Sequence, residues 1–138
     1  MTTMWKNMKG RKGKVMLVTK CNFINSLFRR VNFKFGLLSD TFDVYFNIQH
    51  LDSGDLYTVS FKTELLMLIV NYQEDKDIQV IISDLQSVEY LSYDNYFDNA
   101  CYAISYVIDE LRLIIEKPGH VSTLLYDMHQ MELKSLKI

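Results

Sequence analysis

The chain has little of what tight turns and covalent frameworks are built from. Proline occurs once and glycine five times in 138 residues. That is too few for a many-turned β-sandwich, and no GxGxxG or Walker A pattern is present to cradle a phosphate. Two cysteines, Cys21 and Cys101, do not make the disulfide scaffold of a small secreted domain. The longest apolar run, Leu65 to Val70, is far short of the ~20 residues that span a bilayer. Val15 to Val18 is too short for a signal peptide and is closed by Lys20. A cytoplasmic protein without a membrane partner is therefore expected.

Chemical motifs are equally sparse. His50, His120 and His129 have no spacing that suits zinc, and Asp52-Ser53-Gly54-Asp55 lacks the ligand ladder of a calcium loop. Neither cysteine has a histidine, helix N-terminus or nucleophile elbow beside it in sequence. No cofactor, no metal and no catalytic residue is expected, so the chain reads as a non-enzymatic protein.

What is present is apolar patterning. Hydrophobic residues make up 49% of the chain, enough to bury a single core without metals or disulfides. Residues 1–14 have no apolar period and read as a flexible basic arm, leaving 15–138 as one α+β domain. Asn22 to Val31 spaces Phe23, Ile24, Leu27, Phe28 and Val31 for a helix with Arg29 and Arg30 facing out, while Val31 to Leu37 alternates and competes as a strand. Phe42 to Ile48 and Tyr57 to Phe61 alternate around Asp52-Ser53-Gly54-Asp55, which predicts a hairpin. Glu64 to Tyr72 fits a helical stripe, Ile78 to Ile82 a buried strand and Leu85 to Leu91 a short helix. Asp94 to Glu116 fits a long amphipathic helix stopped by Pro118-Gly119, with Cys101 on its apolar side. Beyond Gly119, Val121 to Met128 fits a helix, with an edge strand over Val121 to Tyr126 as the alternative and a frayed tail from Lys134. The expected fold is an antiparallel hairpin-based sheet packed against the long C-terminal helix.

Charge is distributed unevenly. Before Asp40 there are nine Lys and Arg and no carboxylate; from Asp40 to Leu111 there are 14 carboxylates against Lys62 and Lys76. Such asymmetry bears on partners rather than on fold. Asp94, Asp98, Asp109 and Glu110, with Tyr90, Tyr93 and Tyr102, suggest an acidic, tyrosine-containing face on the long helix and the residues before it. Carboxylates and aromatic anchors of this kind suit the basic groove of a nucleic-acid-handling protein, steered by charge and held by the rings. The expectation is an inhibitor or regulator that mimics nucleic acid. No motif places the chain in a family, but size, composition and acidic-plus-tyrosine character resemble phage- or virus-encoded mimics of this type. The competing reading is direct nucleic-acid binding through Trp5, Lys6, Lys9, Arg11, Lys12, Lys14, Arg29 and Arg30. A third is a homo-oligomer in which basic head meets acidic body.

Overall fold

The structure, a computed structural model, describes residues 3–7, 21–35, 42–86 and 91–136. Its elements are β1 (Thr3–Asn7), α1 (Asn22–Phe35), β2 (Asp43–Leu51), β3 (Gly54–Lys62), β4 (Leu66–Gln73), β5 (Ile78–Asp84), β6 (Ser92–Phe97), α2 (Ala100–Glu116) and α3 (Pro118–Leu136). The six strands form one antiparallel sheet in sequence order. The fold is thus α+β, as the alternating and helical periods predict.

Alternation decides which sheet face is covered. Val44 and Phe46 of β2, Val59 and Phe61 of β3, Leu68 and Val70 of β4, and Val80 and Ile82 of β5 are all buried. Their register puts them in two rows across the sheet. Against these rows α1 packs the five apolar residues expected of it, Phe23, Ile24, Leu27, Phe28 and Val31. The α2 helix adds Ala103, Ile104, Val107, Leu111 and Ile114, and α3 adds Val121 and Leu125. All belong to one hydrophobic core. Phe28 and Phe42 both set their rings 6.2 Å from that of Phe61, which anchors α1 to the middle of the sheet.

The opposite face carries a polar row. Asn47, Thr58, Asn71, Gln79 and Tyr96 stand opposite one another across β2 to β6. Thr58 Oγ1 donates to Asn71 Oδ1 (2.7 Å), Asn71 Nδ2 to Gln79 Oε1 (3.0 Å), and Gln79 Nε2 to Tyr96 Oη (3.0 Å) and Asp94 Oδ2 (3.1 Å). Cross-strand polar pairs of this kind hold register where no apolar packing does.

Several expectations are corrected. The helix expected over Glu64 to Tyr72 is strand β4: Leu66, Leu68 and Val70 point to the core while Met67 and Ile69 are half-buried on the other face. A strand apolar on both sides contains a helical stripe by coincidence. Thr63 marks the turn before it, accepting from the Leu65 and Leu66 amides at 3.2 and 3.0 Å. The helix expected from Asp94 begins only at Ala100; residues 94–97 are the end strand β6, and Asn99 caps the helix by accepting from the Tyr102 amide. With the buried stripe running through Ile104, Val107, Leu111 and Ile114, Cys101 falls outside it and is exposed. The long helix does stop at Glu116, as expected, with Lys117 as its C-cap. Pro118 then opens α3 after that single intervening residue, where its missing N–H costs nothing. Beyond Gly119 the chain is helix rather than edge strand, and it stays helical to Leu136. Residues 31–35 extend α1 rather than form a strand. Part of the basic arm, Thr3–Asn7, is the strand beside β2, while residues 8–20 lie outside the described residues, as do 87–90 of the expected helix at Leu85 to Leu91.

Candidate functional site

The meander places the β2–β3 and β4–β5 turns at the same end of the sheet, and the chain returns there again after β6. That end also holds the N-termini of α1 and α2. Its first hollow, about 400 Å³, lies between the start of α1 and the two turns; Cys21, Phe23, Asp55, Tyr57, Tyr72 and Glu74 are among its walls. A second, of about 360 Å³, adjoins it and shares Tyr72 and Asp75, adding Lys76, Asp77 and Asp98. Among the described residues, five carboxylates therefore meet here (Asp55, Glu74, Asp75, Asp77 and Asp98) against one lysine.

Local geometry explains how the turns hold this arrangement. Gly54 has φ +119°, which allows the two-residue turn Asp52-Ser53 to close the β2–β3 hairpin. Gln73 Nε2 donates to Ser53 Oγ at 2.9 Å and to the Gly54 carbonyl at 3.2 Å, tying the two turns together. Asp75 takes the left-handed conformation, φ 65°, that turns tolerate best in Asn, Asp and Gly. Asp55 Oδ1 lies 2.7 Å from His50 Nδ1. Phe23 stacks on Tyr72 with ring centroids 4.7 Å apart, and Tyr57 lies 6.4 Å from Tyr72. Burial raises both tyrosine pKa values, and the neighbouring Cys21 and the carboxylates raise them further. The two N-terminal helix dipoles offset part of the crowding of negative charge.

Cys21 is the N-cap residue of α1, its carbonyl accepting from the Asn25 amide at 3.1 Å, so a helix N-terminus does adjoin it, contrary to the sequence reading. Burial pushes its thiol pKa up; hydrogen bonds from the Ile24 and Phe23 amides oppose this, and Glu74 reinforces it. The sulfur is held as a thiol at neutral pH, which is unlike an activated nucleophile.

The acidic face expected on α2 is divided. Asp94 lies with Tyr96 on the sheet face opposite the described helices, whereas Tyr93 lies on the helix side, near Tyr106. Asp98 joins the acidic end, and Tyr102, 70% exposed, stands on the first turn of α2 nearby. Asp109 faces α1 and shares a groove with Arg29 and Arg30. Glu110 points elsewhere and is half-buried; burial raises its pKa, Asp109 adds to this and His120 opposes it. Tyr90, Lys9, Arg11, Lys12 and Lys14 lie outside the described residues, and of Trp5 and Lys6 only the backbone, in β1, is described. Among the described residues no cluster of His, Cys, Asp and Glu fits a metal ion, and no helix is long and apolar enough to cross a membrane.

Asp55, Glu74, Asp75, Asp77, Tyr57 and Tyr72 were not assigned to a site from sequence. The signal existed, since two acidic turns separated by two strands must share one end of a meander. Reading β4 as a helix concealed it. Comparison of the chain with family models, with curated proteins and with solved structures gives no match.

Proposed function

We propose that this is a non-enzymatic binding protein whose acidic, tyrosine-walled sheet end docks on a basic surface of a nucleic-acid-handling protein in the cytoplasm and blocks or regulates it. The observation that carries this reading is the pair of adjoining hollows joined at Tyr72 and Asp75, where, among the described residues, five carboxylates face one lysine. The carboxylates stand in for phosphates, steering a cationic partner at long range, and the rings of Tyr57 and Tyr72 offer apolar and cation–π contact once water is expelled. This places the docking surface on the turns rather than along α2. Inhibitors encoded by phages or viruses are the type of protein that acts in this way.

The test is binding of a fluorescent arginine- and lysine-rich peptide to the full chain. Charge reversal of Glu74→Lys with Asp77→Lys is expected to weaken binding by about tenfold or more and to flatten its salt dependence. The pair Asp109→Lys and Glu110→Lys should have a much smaller effect. Equal losses from both pairs, or none from the first, would refute the turn end as the docking surface.

A further inference from the structure

We propose that the groove between α1 and α2 is a second binding site, for single-stranded nucleic acid, independent of the acidic end. The groove has a volume of about 500 Å³, and Arg29, Arg30 and Lys34 of α1 face Arg112 of α2 across it. Asp109 is the one carboxylate in its walls among the described residues. None of the four cations has an ion-pair partner among the described residues. Gathering unpaired like charges in a concavity costs repulsion, and the focused positive potential it creates draws a polyanion. Three of the four are arginines, whose planar forks hold phosphate oxygens in pairs.

Phe33 decides between polyanions. Its ring is 92% exposed on the wall of this groove, next to Lys34 and one turn from Arg29 and Arg30. A bare phenyl ring amid guanidinium groups is the combination on which an unpaired base stacks while its phosphates are neutralised. An acidic peptide would use the cations and leave the ring idle, and a duplex hides its base faces. Asp109 supplies an acceptor for a base edge. Arg29 and Arg30 stand out as candidate cations in the sequence, but Lys34, Arg112 and Phe33 join them only through the packing of α1 beside α2.

Fluorescence anisotropy of the full chain with a labelled oligothymidylate of about 15 nucleotides, from roughly 50 to 200 mM NaCl, tests this. Four neutralised phosphates give a log–log salt slope of about −3, an affinity loss of about 50-fold over that range. The double variant Arg29→Ala, Arg112→Ala should make the slope shallower by about 1.4. Phe33→Ala should weaken binding by about tenfold and leave the slope unchanged, the mark of lost stacking rather than lost charge. Arg29 and Phe33 are exposed and Arg112 is half-buried outside the core, so nearly unchanged melting curves are expected and separate lost contacts from lost folding. The proposal is overturned by an absence of binding at the lowest salt, or by both variants binding like the parent chain. It is equally overturned if Phe33→Ala has no effect while polyglutamate or duplex DNA competes as well as the oligothymidylate.

Discussion

At Glu110 burial and charge act on a single proton. Its pKa is raised above 4.5 by burial first and by Asp109 second, with His120 pulling the other way. Between the unfolded value and the raised folded value the folded chain binds the extra proton, so stability falls as pH rises through that window. Above that window the destabilisation is fully present. Glu110→Gln is therefore expected to raise the melting temperature at pH 7 by about 1–3 °C, a modest gain because the group is half-exposed. At about pH 3, where Glu110 is protonated in both states, the variant and the parent should melt together. Paired thermal melts at the two pH values check this. At Cys21, too, the surroundings oppose each other: helix amides favour its thiolate, and burial with Glu74 outweighs them. Its position at a helix start suggests reactivity that its environment withholds.

The sheet shows what each strand face contributes. On the core side, apolar rows from β2 to β5 hold α1 and α2 in place; on the other, hydrogen bonds from Thr58 to Tyr96 keep adjacent strands in register. Asn71 is the centre of that chain, accepting from Thr58 and donating to Gln79. Asn71→Ala removes both bonds and leaves their partners to half-buried surroundings, so a loss of about 1–3 kcal/mol is expected from urea unfolding. The row also keeps the face opposite the described helices from presenting a continuous apolar strip, which limits sheet-to-sheet association.

Over the whole molecule, charge follows helix direction. Because α1 and α2 both start at the turn end and run side by side, their positive dipole ends meet the carboxylates of Asp55, Glu74, Asp75, Asp77 and Asp98. Their later turns carry Arg29, Arg30, Lys34 and Arg112. A protein with formal net charge −2 thus presents two separated fields of opposite sign. It is expected to be retained at low salt and pH 7 on both anion and cation exchangers, and the two retentions should respond to different substitutions. Glu74→Gln with Asp77→Asn should lower the salt needed for elution from the anion exchanger alone. Arg29→Ala with Arg30→Ala should lower it on the cation exchanger alone.

The α+β class, the β2–β3 hairpin, strand β5 and the buried side of α1 are all legible in the sequence. The hairpin and α1 each follow one period with agreeing turn or capping chemistry, and β5 is a run too short for a helix and rich in β-branched residues. Phe23, Ile24, Leu27, Phe28 and Val31 could only line one side of a helix. Where one period does not exclude the other, the local pattern does not decide. β4 is apolar on both faces and reads equally as a helix, and β6 runs so directly into α2 that a single helical period spans both. Only pairing with β3 and β5 makes β4 a strand, and only pairing with β5 separates β6 from α2. The candidate sites depend on the same long-range pairings. Net charge by segment is a property of the sequence. Which carboxylates share a hollow, and which arginines face each other beside Phe33, follows from antiparallel pairing and from two helices packing in parallel, because contacts between residues distant in sequence exist only once the core has closed.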